Sequence, residues 1–92
     1  MKRIQAKVRF KGMVQGVGFR YFVCRTALSH GLTGWVRNLL NGEVEAVFEG
    51  RESEIRSVLE FCQQGPSGSR VSEMLIDWEE FRGEFENFEI RR

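Results

Sequence analysis

The chain has 92 residues, 41% hydrophobic and 12% aromatic, enough to bury one core and hardly a second, so residues 1–92 are expected to form a single domain. With 14 Lys plus Arg against 13 Asp plus Glu, no basic excess recruits nucleic acid or an anionic membrane non-specifically. No apolar run approaches a bilayer span, and MKRIQAKVRF alternates in polarity where a signal peptide would be continuously apolar, so a cytoplasmic protein with no membrane partner is expected. Cys24 and Cys62 form no CxxC, and with the single histidine they make no zinc set. Free thiols and no metal or cofactor are expected.

From Ile4 to Gly12, the residues Ile4, Ala6, Val8 and Phe10 alternate with Gln5, Lys7, Arg9 and Lys11, the period of a half-buried strand. The stretch GMVQGVGFRYF, Gly12 to Phe22, carries Gly16 and Gly18 and then changes period: Phe19, Phe22, Val23, Thr26, Ala27 and His30 recur at helical spacing. This predicts a first helix over Phe19–His30, with Gly31 as its C-cap. TGWVRN reads as a second strand, LLNG holds the Asn-Gly signal of a tight hairpin, and EVEAVFE alternates again as its antiparallel partner. Ser53 is expected to cap a second helix, EIRSVLEFCQQ, whose Ile55, Val58, Leu59 and Cys62 form one stripe and which Gly65 and Pro66 stop. VSEMLIDWEE predicts a fourth strand with Met74, Ile76 and Trp78 on one side, and after a turn around Gly83, FEIRR supplies a short closing strand.

The order strand, helix, strand, strand, helix, strand, with one terminal extra strand, is the split β-α-β arrangement of the α+β, ferredoxin-like class. Each helix has one apolar stripe, so both should cover the same face of a mixed, antiparallel-rich sheet. The bare face should carry Lys7, Arg9 and Lys11 opposite Glu45, Glu49, Glu73, Asp77 and Glu79, a solvated surface of cross-strand pairs.

On that topology the glycines lie in a strand-to-helix loop. Gly16 and Gly18 can take positive φ and turn backbone N–H groups into a concave anion nest, at the point where the first helix presents its own unpaired N–H groups and positive dipole end. Arg20 adds a fixed charge and a fork of donors suited to a tetrahedral phosphate. Gln15, Gly16, Val17, Gly18, Phe19 and Arg20 are therefore candidate phosphate ligands. Two glycines in such a loop are ordinary turn chemistry by themselves, and the nucleotide signatures are missing: Tyr21 stands where the dinucleotide fingerprint has its third glycine, and no Gly-Lys-Ser/Thr follows.

Asn38, in GWVRN, is the second candidate. The first and second strands run parallel with the third between them, so their carboxyl ends share an edge, roughly 10 Å apart, a gap that a phosphate and a water could fill. Asparagine before a hairpin is also common turn chemistry.

VQGVGFR followed by GWVRNLLNGEVE, then QGPSGSRV and the terminal FEIR, closely resembles the acylphosphatase family over about Ile4 to Arg91. The resemblance implies metal-independent hydrolysis of the carboxyl–phosphate bond of small acyl phosphates by an enzyme in which Arg20 holds the phosphate and Asn38 positions the attacking water. Leu39 and Leu40 replace smaller or polar residues often found after that asparagine. The chemistry suits a sparse site: the leaving carboxylate has a reference pKa of about 4, and a loose phosphoryl transition state asks mainly for positioning and charge stabilisation.

His30 falls at the far end of its helix, where a core-edge or dipole role outweighs general-base work. Cys62 reads as a core residue, Cys24 as a surface thiol, Trp35 and Trp78 as core aromatics, and Tyr21, Cys24 and Leu28 as a small stripe off the core. Two other functions fit the fold: a non-catalytic phosphate-binding or regulatory module, and an RNA-binding domain. The second would read bases with aromatics on the open sheet face, where the first strand offers Gln5, Lys7, Arg9 and Lys11. A monomer acting on a small molecule, without nucleic acid, needs no extra assumption.

Overall fold

Alternation in the first segment becomes an eleven-residue strand, Arg3–Met13 (β1), in a computed structural model that describes residues 2–92. Its Ile4, Ala6, Val8 and Phe10 are buried while Lys7 and Arg9 are exposed, as the period of two requires. Helix α1 follows over Phe19–Ser29, then β2 (Thr33–Asn38), β3 (Val44–Arg51), α2 (Glu52–Gln64), β4 (Arg70–Glu80) and β5 (Phe88–Arg91). The five strands lie in the order β4-β1-β3-β2-β5. β1 pairs antiparallel with β3 and β4, β2 pairs antiparallel with β3, and β5 runs parallel to β2. The arrangement is the ferredoxin-like α+β sandwich.

Both helices pack on one face of the sheet because each has a single apolar stripe: Phe19, Val23 and Ala27 are buried from α1, and Ile55, Val58, Leu59 and Cys62 from α2. They meet Ala6, Val8, Phe10, Val36, Val44, Ala46 and Phe48 in one continuous cluster. Phe10 and Phe19 touch edge to face with ring centroids 5.1 Å apart, which ties the end of β1 to the start of α1. Burying each ring stabilises the fold by roughly 1.5–3 kcal/mol, and truncating either to alanine costs about 3–5 kcal/mol once the cavity is counted.

The open face departs from the expected solvated surface at one end. Gln5 and Glu49, opposite one another on β1 and β3, are each only 1% exposed. Both lie under the segment between β4 and β5, whose backbone N–H groups at Arg82 and Glu84 donate to the two oxygens of Glu49 at 2.8 and 3.1 Å. The Gln5 amide donates to Glu49 and to Glu84 at 3.0 and 3.1 Å. A charge can stay in the interior here because three N–H donors replace its water. Strand alternation could not reveal this, since the cover comes from a loop some 30 residues further on.

Neither tryptophan is in the core. Trp35 lies on the open face between the guanidinium groups of Arg37 and Arg91, each 5.1 Å from its ring, and Trp78 is 40% exposed under Arg56 at 4.6 Å. Cys24 is half-buried against the core, its thiol directed at the Phe88 carbonyl at 3.7 Å. Ser53 lies inside the first turn of α2; the capping position belongs to Arg51, whose side chain makes no cap bond. The predicted β2–β3 turn is a five-residue loop, Leu39 to Glu43, closed by Gly42 N–H to the Leu39 carbonyl at 3.2 Å and by Leu39 N–H to the Glu43 carbonyl at 2.8 Å. β4 and β5 form the two edges of the sheet.

Candidate active site

The loop between β1 and α1 hangs between two buried anchors, Val14 and Phe19, which leave Gln15 to Gly18 at the surface between them. Gly16 has φ +77° and Gly18 φ +75°, the left-handed region that L side chains disfavour. A β-carbon built on either glycine meets nothing within 4 Å, so these glycines answer to backbone conformation and to open space in front of the loop, not to crowding. Gly18 is the N-cap of α1, and no side chain caps the helix. The first intrahelical bond runs from Phe22 N–H to the Gly18 carbonyl at 3.0 Å, so the amides before it are free by helix geometry to meet an outside acceptor. The first turn of α1 holds no acidic residue, whereas α2 places Glu52 and Glu54 in its own. The positive end of α1 therefore keeps its field for an anion.

Arg20 projects from that turn, half-buried, and makes no ion pair, side-chain hydrogen bond or aromatic stack among the described residues. Five of the ten other arginines do better: Arg9, Arg37, Arg56, Arg82 and Arg91 all lie within 4.0 Å of a carboxylate. A guanidinium without a partner beside a helix start is a charge available to a ligand.

Asn38 ends β2. The registers place Phe10 of β1 opposite Val44 of β3, and Val44 opposite Asn38, so the three residues form one row across the sheet, which β1 overruns by Lys11, Gly12 and Met13 before the loop begins. The Asn38 Oδ1 is buried without a hydrogen-bond partner among the described residues. Leaving a buried acceptor unmet costs about 1–3 kcal/mol, and an oxygen aimed at nothing in the protein is suited to a water.

Gln15, read from the sequence as part of the cradle, has its side chain turned the other way. Its Nε2 donates to the Leu39 carbonyl at 2.8 Å and to the Glu43 carbonyl at 2.9 Å, reaching from the loop into the base of the hairpin that carries Asn38. From the opposite side the segment after α2 supports the loop: a β-carbon on Gly68 would lie 3.7 Å from Val17 Cγ1, and one on Gly65 3.3 Å from Phe19 Cε1. Both contacts escaped the sequence reading, because a glutamine in a loop carries no sign of where its amide goes and small residues after a helix read only as a stop.

The remaining polar candidates lie elsewhere. His30 is the C-cap residue of α1, its Nδ1 2.9 Å from the Thr26 carbonyl and its ring against Phe61, at the opposite end of the helix from Arg20. Burial pushes the Cys62 thiol up to about 12 and raises that of Cys24, so neither is an activated nucleophile. A cleft of about 490 Å³ near His30, lined also by Arg3, Arg51, Glu54 and Phe81, lies at the end of the sheet away from Arg20 and Asn38. Among the described residues, no helix is long and apolar enough to cross a membrane.

Residues 6–90 match the family model Acylphosphatase. A curated acylphosphatase of Moorella thermoacetica is 50% identical over 91 residues, covering 99% of this chain and 97% of its own. Among solved structures, the crystal structure of an acylphosphatase from Bacillus subtilis superimposes with a TM-score of 0.94 at 35% identity, covering 97% of this chain and 99% of that one. Full-length HypF, crystallised in a phosphate- and nucleotide-bound form, matches with a TM-score of 0.86 at 28% identity, covering 99% of this chain but 12% of that one. A split β-α-β sheet bearing this loop, and relatives of this identity over nearly their whole length, lead to one conclusion: the chain belongs to the acylphosphatase family.

Proposed function

We propose that the chain performs the family's hydrolysis of small acyl phosphates with the loop Gly16–Phe19 and Arg20 as its phosphate cradle and Asn38 as the residue that aims the attacking water, Gln15 of the expected cradle being engaged instead with the hairpin. The observation that carries this reading is the pair of unmet groups at one edge of the sheet, the Arg20 guanidinium and the buried Asn38 Oδ1. The phosphoryl oxygens would sit on the amides of the Gly16–Phe19 turn, where the α1 dipole and the arginine fork both favour negative charge. Charge on those oxygens is what the protein must stabilise as the carboxyl–phosphate bond opens, and the departing carboxylate needs no acid because its conjugate acid has a pKa of about 4.

Asn38 Oδ1 accepts one hydrogen bond from a water and so turns the water's lone pair toward phosphorus. The second water proton passes to a phosphoryl oxygen of the substrate, because the one carboxylate of the hairpin, Glu43, is paired with Arg9 and Lys11 at 3.3 and 3.9 Å. The products are a carboxylate and inorganic phosphate. Protein groups account for each role in this scheme, so turnover is expected to survive a chelator. The thiol state of Cys24 and Cys62, both free, supports a reducing cytoplasmic location. A chain of residues 1–92 acting as one monomeric domain on a small molecule, with no nucleic acid, completes the reading.

Hydrolysis of benzoyl phosphate in chelator by the native chain, Arg20→Ala and Asn38→Ala, with folding followed by circular dichroism, tests the proposal. Each variant is expected to lose roughly a hundredfold to a thousandfold in turnover, about 2.7–4 kcal/mol, as on removal of other preorganised hydrogen-bonding groups. Full activity in either folded variant removes that residue from its role. A non-catalytic anion-binding module of the same fold would instead leave the acyl phosphate intact in the native chain.

A further inference from the structure

We infer that Gln15 is a positioning residue that sets the distance between phosphate and water, acting through the hairpin and not on the substrate. The inference rests on the roles proposed for Arg20 and Asn38 and adds the device that holds them in register.

Three observations converge on it. Both protons of the Gln15 amide are committed to the hairpin, at 2.8 Å to the Leu39 carbonyl and 2.9 Å to the Glu43 carbonyl. These two carbonyls are also the acceptors that close the loop, from Gly42 N–H and Leu39 N–H, so the glutamine braces the one point where both ends of the hairpin loop meet. On the other side of Gln15 in the chain comes Gly16, and before Leu39 comes Asn38. One side chain thus spans from the residue before the cradle to the residue after the water-aiming asparagine.

The need for such a brace follows from Asn38 itself. Its Oδ1 has no protein partner among the described residues, so no hydrogen bond at that oxygen fixes its direction, and its aim depends on the backbone that carries it. That backbone is the last position of a strand two places away from β1 in the sheet. A reacting oxygen must stay within about 3–3.5 Å of phosphorus in an aligned geometry, and a misplacement of about 1 Å can cost a hundredfold. The cradle lies in one loop and the asparagine at the last residue of β2, and the two would otherwise be joined only through the sheet. A glutamine amide with two short bonds across the gap couples them directly. Leu39 takes part through its carbonyl alone, so its apolar side chain is compatible with the brace.

Because the cradle amides and Arg20 lie outside the brace, losing it should spare phosphate affinity and impair the step in which water attacks. The test uses Gln15→Met, which keeps the length and removes both donors, and Gln15→Glu, which turns acceptors toward two carbonyls. Each is measured for kcat, KM and inhibition by inorganic phosphate on benzoyl phosphate, alone and combined with Asn38→Ala. The expected result is a fall in kcat of about tenfold or more for Gln15→Met and a larger one for Gln15→Glu, with KM and phosphate inhibition changed less than about threefold. In the Asn38→Ala background the same substitutions should have almost no further effect, because the aim they disturb is already gone.

Two results overturn the inference: phosphate inhibition weakening in step with activity, which makes Gln15 part of the anion site, or effects that multiply with those of Asn38→Ala. Should Gln15→Met lose its fold, Gln15→Glu and the double variants decide the same question. A folded Asn38→Ala that remains fully active refutes the proposed water-aiming role; a damaged Asn38→Ala beside an unaffected Gln15→Met refutes the brace alone.

Discussion

The two ends of the sheet treat their polar groups in opposite ways. At the end where β3 runs into α2, Glu49 is a fully buried carboxylate with three N–H donors on its two oxygens, and the first turn of α2 carries its own acids, Glu52 and Glu54. At the other end the first turn of α1 has no acid, its cap has no side-chain bond, Arg20 has no counter-charge and Asn38 Oδ1 has no donor. The Glu49 carboxylate is fully matched, although the neighbouring Gln5 Oε1 is, like Asn38 Oδ1, buried without a partner among the described residues; what sets the second end apart is an unmet acceptor together with an unpaired charge and an uncapped helix start. Buried groups in a folded chain are normally satisfied, and the unmet Asn38 Oδ1 beside the unpaired Arg20 is where the proposed substrate would complete the structure. The contrast also qualifies a simple rule, since the fully buried Glu49 serves structure and the proposed chemistry falls where groups are under-partnered.

Exchanging the treatment of the two ends by mutation would sharpen the contrast. The largest effect is expected for Arg20→Ala and Asn38→Ala, a hundredfold to a thousandfold in turnover with a nearly unchanged urea midpoint, because neither side chain is bonded to the protein in the ways described. Glu49→Ala should do the reverse. It strips the acceptors from two backbone N–H groups and from Gln5, so a loss of about 2–4 kcal/mol in unfolding free energy is expected with kcat per folded molecule unchanged. A large fall in kcat for folded Glu49→Ala would mean that the two ends are coupled.

Gly18→Ala comes next. Its new methyl meets nothing, so only the φ of +75° is penalised, and a cost of about 1–2 kcal/mol in stability should accompany a few-fold weakening of inhibition by phosphate. Stability unchanged within measurement would show that the loop relaxes freely. The smallest effect belongs to Arg56→Ala on the exposed face of α2, whose i,i+4 pair with Glu52 and contact with Trp78 should be worth less than about 1 kcal/mol and leave activity untouched.

How much of this the sequence carried depended on how local the cause was. Strand and helix order, the α1 stripe of Phe19, Val23 and Ala27, and the α2 stripe all follow from period, and the structure has each of them. The left-handed glycines were equally legible, because the demand they answer lies within three residues. What escaped depends on distant chain. Glu49 and Gln5 alternate as outward positions and are buried by a segment near residue 84; Trp78 alternates with the core set yet lies beyond the cover of α2, on an edge. Of the proposed site, Arg20 and Asn38 are suggested by their own neighbourhoods, while the path of the Gln15 amide, 24 and 28 residues away in sequence, could not be read.

β4 bounds the sheet along eleven residues and carries Glu73, Asp77, Glu79 and Glu80, with Arg70 as its one basic residue. Long unpaired margins invite templated growth of the sheet from molecule to molecule. Here two such margins laid side by side would crowd carboxylates of one sign, a repulsion written into the rim that discourages fibre-like stacking while leaving the opposite rim, only four residues long, too brief to serve as a seed.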